Sequence, residues 1–181
     1  MATSTHAVRL AQTRREFEVA TPDFATAPAH RRVSEFLSQV REVLGMDVAF
    51  VAEVNEDRRV FRVVSVAAGA ESPVARGGSD PLVDSYCKRI IEGDLPSVIP
   101  DTASEPASRD LAITQRLRIG AYLSVPVVLH DGSLYGTLCC FSHDPRPDLR
   151  EEDAQALRDV AATIAAAISR SGQVRGQIWP D

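Results

Sequence analysis

The sequence predicts an α+β fold in which one central antiparallel sheet carries helices on both faces. Three observations predict it. Residues 119–129 and 134–141 are apolar, β-rich runs joined at Asp131-Gly132, the pattern of a hairpin buried in a sheet. Residues 47–54 and 60–67 form a second such pair, rich in β-branched residues and Phe, across the polar connection Asn55-Glu-Asp-Arg58. Apolar residues at helical spacing then precede the first pair, separate the two and follow the second.

Taken in order, residues 1–28 mix Thr, Ala, Pro and charge and read as an N-terminal arm, with a short helical stretch over 8–18. From His30 onward Val33, Phe36, Leu37, Val40 and Leu44 fall on one helical face, and Gly45 stands where a C-terminal cap belongs. The first strand pair follows. Ser79-Asp80-Pro81 then predicts a helix start, with Asp80 as the capping carboxylate and Pro81 at the first helical position. Leu82, Val83, Tyr86, Cys87, Ile90 and Ile91 give that helix a buried face, and Gly93 ends it. Residues 94–118 contain Pro96, Pro100 and Pro106 around the apolar pair Val98-Ile99, which predicts a structured loop with one short strand and one short helix. After the second hairpin, Asp148-Leu-Arg-Glu151 has capping-box spacing. Ala154, Leu157, Val160, Ala161, Ile164 and Ile168 form the apolar stripe of the last helix, which Gly172 closes. The organisation is an arm over 1–28, a domain over 29–172 and a tail over 173–181. The first and last helices share one face of the sheet, and the middle helix and long loop cover the other above a concave region.

Composition removes several function classes. A chain of 181 residues with 44% apolar content buries one sizeable core. Its net charge of -5 excludes an electrostatic nucleic-acid partner, and the pairs Arg14-Arg15 and Arg31-Arg32 read as solvated helix faces. The polar start lacks a sustained apolar run, which predicts no signal peptide, no membrane span and a cytoplasmic location. Three cysteines, two of them adjacent, do not make a disulfide framework and read as packed thiols. No nucleophile elbow, phosphate-binding loop, His-Glu-x-x-His helix or dinucleotide-binding glycine motif occurs, so the expectation is a non-enzyme with neither catalytic residues nor a metal site.

Several strings carry more. These are Leu95-Pro-Ser-Val-Ile-Pro-Asp101, Ile119-Gly-Ala-Tyr-Leu-Ser-Val-Pro126, Asp131-Gly132, Gly136-Thr-Leu-Cys-Cys-Phe141 and Leu149-Arg-Glu-Glu-Asp153. Through them the chain resembles, over about residues 30–171, the GAF domains, small-ligand and signal-sensing modules of bacterial regulators, phytochromes and cyclic-nucleotide phosphodiesterases. The match extends to GAF domains of bacterial signalling proteins with cyclic-dinucleotide output domains. The resemblance implies a PAS-related sheet of five to six strands, a pocket between sheet and loop, and a homodimer formed through the terminal helices. It implies a small-molecule ligand of unknown identity, with a signalling partner supplied in trans. The Asn-Lys and Phe positions of cyclic-nucleotide-binding relatives are not found between Cys140 and Asp153, and residues 94–118 lack the cysteine to which bilin-binding relatives attach their chromophore. No covalent bilin is therefore expected.

Under that resemblance the ligand-binding candidates are Tyr86, Ile99, Asp101, Leu111, Leu117, Ala121, Tyr122, Leu123 and Cys140, with Tyr86 and Asp101 favoured as polar tips in an apolar cleft. Tyr122 and Leu123 alternate along a strand, so at most one faces the pocket. The alternatives are a ligand-free dimerisation module and a thiol-based redox sensor using Cys87, Cys139 or Cys140. Cys139 and Cys140, as successive strand residues, point to opposite faces, and Cys87 on an apolar helical face is expected to have its pKa raised by burial. Free methionine sulfoxide reductase is the catalytic alternative, but the loop offers Ser97, Thr102, Ser104 and Ser108 where that chemistry requires cysteines. His130 is read as capping a hairpin end and His143 as facing solvent.

Overall fold

A computed structural model describes residues 4–20 and 29–170. Its elements run α1 (Thr5–Ala20), α2 (Ala29–Leu44), β1 (Val48–Asn55), β2 (Arg58–Val66), β3 (Ser79–Pro81) and a 3-10 turn (Leu82–Asp84). They continue with α3 (Tyr86–Glu92), β4 (Val98–Ile99), α4 (Pro106–Arg109), α5 (Ala112–Leu117), β5 (Ala121–Val128), β6 (Leu134–Ser142) and α6 (Glu151–Arg170). The six strands form one sheet in the order β3-β2-β1-β6-β5-β4, and every pairing is antiparallel.

Both expected hairpins are present. Glu56 and Gly132 supply the positive φ that their turns need, at 51° and 80°. In β1–β2 the register shifts between Val51, which pairs with Val63, and Ala52, which pairs with Phe61. Arg62 is the extra residue of this bulge, and its Nε reaches the Glu53 carboxylate at 2.7 Å. Pro126 is tolerated in β5 because β4 pairs with Tyr122 and Leu123, and the backbone bond that extends this pairing, Ser124 N–H to the Ser97 carbonyl at 2.9 Å, stops two residues short of it.

Strand alternation sorts the core into two layers. Ala49, Val51, Ala121, Leu123, Val125, Leu138 and Cys140 pack with α1, α2 and α6. Val48, Phe50, Ala52, Tyr122, Cys139 and Phe141 pack with the elements from β3 to α5. On the helical side the stripe Val33, Phe36, Leu37, Val40 and Leu44 of α2 meets Leu157, Val160, Ile164 and Ile168 of α6.

Three elements differ from the sequence reading. The expected arm contains α1, a docked helix: Leu10 is fully buried, Phe17 stacks on Phe36 with ring centroids 4.2 Å apart, and Thr163 Oγ1 donates to Glu18 at 2.9 Å. Its signal is faint because only Ala7, Leu10 and Phe17 mark the inward stripe. Residues 21–28 of the expected arm and the expected tail at 173–181 lie outside the described residues. Ser79-Asp80-Pro81 is the edge strand β3 rather than a helix start, since Asp80 pairs with Arg59 of β2. The helix begins instead at Tyr86, with Ser85 accepting from the Lys88 backbone N–H, and ends at Gly93 with φ 82° as expected. The last helix starts later than the Asp148 frame predicts: Asp153 reaches back to accept from the Arg150 N–H at 2.8 Å, while Asp148 pairs with Arg146.

Candidate functional site

The layer over the second face of the sheet surrounds a cluster of buried polar groups. Arg59 has the same strand parity as Phe61, so its side chain enters this layer. Its Nε and Nη2 donate to the two Asp80 oxygens at 2.6 and 2.8 Å, a bidentate pair presented by the β2–β3 register. The guanidinium carbon lies 5.5 Å from the Phe50 ring centroid and 5.1 Å from that of Phe61, so the charge is walled by aromatic surface. Nη1, unused by Asp80, donates to Cys87 Sγ at 3.0 Å.

Cys87 enters from the first turn of α3 and meets three strand residues. Thr137 Oγ1 donates to its sulfur at 3.1 Å, Tyr122 Oη lies at 3.6 Å and Cys139 Sγ at 3.4 Å. Cys139 itself lies 3.2 Å from Thr137 Oγ1 and 3.1 Å from Ser124 Oγ, the residue facing it across β5–β6. Beside this network Tyr86 packs on Tyr122 with ring centroids 4.4 Å apart, and its hydroxyl is 2.6 Å from Thr114 Oγ1. The electrostatics follow from these contacts. The Cys139 hydrogen bond, aided by Arg59, Thr137 and Tyr122, holds the Cys87 thiol well below its ordinary range despite burial. Burial pushes Cys139 well up, and the neighbouring Cys87 charge adds to it. Tyr122 and Tyr86 are both raised, in each case chiefly by burial. Burial opposes the Arg59 charge, but Cys87 and Asp80 outweigh it and hold the guanidinium pKa well above its usual value.

A concavity of about 430 Å³ opens elsewhere, at the strand ends between Asp47, residues 67–71, Arg118, His143 and Asp144. His143 Nδ1 is 3.0 Å from the Arg118 carbonyl and Nε2 is 2.9 Å from that of Glu71. Both partners only accept, so both contacts are hydrogen bonds only when the ring is the doubly protonated imidazolium. Burial works against that charge, yet the two carbonyls and Asp47 prevail and the His143 pKa is raised. A raised folded-state pKa contributes stability that is full below about 6.5, the unfolded value, and is lost as pH rises through the folded one. Thermal melts between pH 6 and 8.5 are therefore expected to fall for the native chain relative to His143→Asn, and parallel profiles would refute the clasp.

With this geometry in view, the GAF domain family profile matches residues 28–168. The chain belongs to the GAF domain family. The match spans most of the chain, and solved structures agree on the GAF fold. A phycocyanobilin-bound GAF domain from a cyanobacterial phytochrome aligns with TM-score 0.71 at 17% identity, over 90% of this chain and 94% of that one. The free methionine-R-sulfoxide reductase of Neisseria meningitidis, in complex with its substrate, aligns with TM-score 0.69 at 17% identity over 96% of each chain. At these identities the likeness establishes fold alone. Among curated proteins, the diguanylate cyclase DgcP of Escherichia coli is 28% identical over 145 residues, 78% of this chain and 40% of its own length. An uncharacterised protein of Azorhizobium caulinodans is 26% identical over 147 residues, 78% of this chain and 18% of its own. The chain thus spans less than half the length of the curated relatives it matches.

Within this GAF domain, the candidates separate by face. Tyr86, Ile99, Leu117 and Tyr122 are buried in the layer that holds the thiol cluster, and Leu111 packs at its edge. Tyr122, not Leu123, is the residue of its pair that faces this layer. Ala121, Leu123 and Cys140 belong to the opposite core under the long helices, because strand parity places them with Ala49 and Val51. Asp101 is not a polar tip in a cleft: its carboxylate closes a turn by accepting from the Ala103 N–H at 3.0 Å and the Ser104 hydroxyl at 2.6 Å. These local donors lower its pKa. Cys87 also departs from expectation, since polar partners reverse the upward pull of burial. Cys139 and Cys140 do divide between the two cores. His130 is exposed at the hairpin end, whereas His143 is the loop clasp described above. The sequence reading missed Arg59, Asp80, Ser124 and Thr137, although an arginine two residues before Phe61 was a visible signal, with the bulge at Arg62 sending Val63 to the other face. Among the described residues, no group of three or more His, Cys, Asp or Glu side chains could hold a metal, and no helix is long and apolar enough to cross a membrane.

Proposed function

We propose that the chain is a non-enzymatic, cytoplasmic sensor module that binds a small organic molecule between the sheet and the layer from α3 to α5. Binding there changes the loop and terminal-helix arrangement and passes the signal to a second copy of the chain or to a partner in trans. The observation that carries this reading is the contrast between the two faces. One is sealed by the long helices α1, α2 and α6, with its buried Ser65, Asp153 and Thr163 tied to residues on or beside those helices, whereas the other is closed by short elements over a connected cluster of buried polar tips. Tyr86, Thr114, Tyr122, Ser124 and Thr137 offer orienting hydrogen bonds within aromatic and aliphatic walls, the composition of a small-molecule site. Short covering elements open at lower free energy than long packed helices, so a ligand can favour one arrangement over another there. The 28% identity to DgcP supports a regulatory role coupled to an output carried elsewhere. Val8 and Val19, exposed on α1, support a contact between copies through the terminal helices.

Native mass spectrometry of the purified chain, followed by thermal-shift screening against metabolite classes, tests the reading. The expected result is a retained or stabilising compound whose effect falls in Tyr86→Phe or Tyr122→Phe. A folded chain that retains nothing and is stabilised by no compound would overturn it. Light scattering is expected to show a dimer, and a monomer at all concentrations would remove the second copy.

A further inference from the structure

All three cysteines are completely buried, yet their surroundings are unlike. Cys140 lies among apolar side chains under the long helices, and burial pushes its thiol up to about 12, with Arg41 opposing. Cys87 and Cys139 instead face each other in the polar cluster, Sγ to Sγ at 3.4 Å, from elements 52 residues apart in sequence.

We propose that Cys87 and Cys139 form a reversible dithiol–disulfide site oxidised by small hydroperoxides, with Cys87 as the attacking sulfur and Cys139 as the resolving one. The contacts divide the roles. Arg59 Nη1 and Thr137 Oγ1 both donate to Cys87 Sγ and support a thiolate there, whereas among the described residues the polar contacts of Cys139 are Cys87, Ser124 and Thr137, none of them a cation. In the first step the Cys87 thiolate attacks one peroxide oxygen: the O–O bond breaks, an S–O bond forms, and the departing alkoxide or hydroxide takes a proton to leave as alcohol or water. Sulfur has then lost two electrons to the peroxide and is a sulfenic acid. In the second step Cys139 attacks that sulfur. The S–S bond forms as the S–O bond breaks, and the Cys139 proton leaves with the hydroxyl group as water. Thr137 Oγ1, hydrogen-bonded to both sulfurs, lies on the short path for that proton. A dithiol reductant reverses the sequence by exchange.

The sulfurs must approach by about 1.4 Å to reach a disulfide length of about 2.05 Å. That motion falls on α3, a seven-residue helix in the short-element layer, rather than on the central strand β6. Opening of the same layer admits a small oxidant to buried sulfur while excluding bulky ones. Oxidation also removes the anion facing Arg59 Nη1, so the redox state is reported to the Arg59–Asp80 pair and to β3. No bound ligand is required, and the site therefore stands or falls apart from ligand sensing.

The test uses the full chain, reduced and then exposed to hydrogen peroxide, with free thiols alkylated in denaturant and peptides mapped by mass spectrometry. Cys139 and Cys140 share a tryptic peptide, so single serine variants make the assignment. A disulfide is expected in the native chain and in Cys140→Ser, reversed by dithiothreitol, and absent from Cys87→Ser and Cys139→Ser. In Cys139→Ser the reaction is expected to stop at a sulfenate on Cys87 that dimedone traps. Cys140 is an internal control of equal burial, and Cys87 is expected to oxidise at least about tenfold faster. An undiminished cross-link in Cys139→Ser, equal oxidation of Cys87 and Cys140, or no cross-link in the folded native chain would each overturn the proposal.

Discussion

Asp80→Ala is expected to destabilise the domain by about 3–5 kcal/mol, because it strands a buried guanidinium without its carboxylate. The Arg59 side chain is only 2% exposed and Asp80 takes two of its three hydrogen-bonding nitrogens, leaving Nη1 for Cys87. Phe50 and Phe61 wall the cation but cannot replace a carboxylate. Arg116, whose guanidinium approaches Asp80 at 3.8 Å from the exposed side, loses little in the same variant. Arg59→Met combined with Asp80→Leu removes both charges, and is expected to recover much of the loss because a well-packed apolar pair can replace a buried ion pair. Urea denaturation of the native chain and of these two variants measures the loss and its recovery. An Asp80→Ala loss below about 1 kcal/mol, the ceiling typical of surface pairs, would show that water reaches the pair and screens it.

This pair also shows where sequence reading stops. The hairpins, the caps at Gly45 and Gly93 and the division of Cys139 from Cys140 were legible because period and turn chemistry are local properties. Which parity of β5 faces the polar layer was not, since alternation separates Tyr122 from Leu123 without saying what lies over either. Asp80 was read as a helix cap because Ser-Asp-Pro satisfies that local rule, but the strand pairing with Arg59 prevails. Cys87 was misread for the same reason. Its helical face is apolar, and the groups that reverse its titration come from residues 59, 122, 137 and 139. Local inference captured the scaffold and most residues of the layer, while the chemistry of the site arises from long-range contacts.

Gly136→Ala supplies the second large effect, and here the expected sign carries the argument. Gly136 lies within β6, and its φ is not among the positive values, so alanine meets no conformational objection there. With space available, the substitution would stabilise by about 0.4–1 kcal/mol through the unfolded chain. The space is absent. A Cβ at Gly136 would stand 1.9 Å from the Ala52 carbonyl oxygen and 3.0 Å from Glu53 Cα, both backbone atoms of β1. The β1–β6 pairing joins the β3-β2-β1 half of the sheet to the β6-β5-β4 half, so relief of the clash must separate the halves or bend a strand packed on both faces. Overpacking of this kind is expected at or above the usual upper figure of about 3 kcal/mol. Gly132→Ala is the control: nothing lies within 4 Å of its Cβ, but φ is 80°, so only the left-handed penalty of about 1–2 kcal/mol applies. Urea unfolding of both variants distinguishes the mechanisms. A Gly136→Ala protein as stable as the native chain would mean that β1 and β6 do not approach this closely.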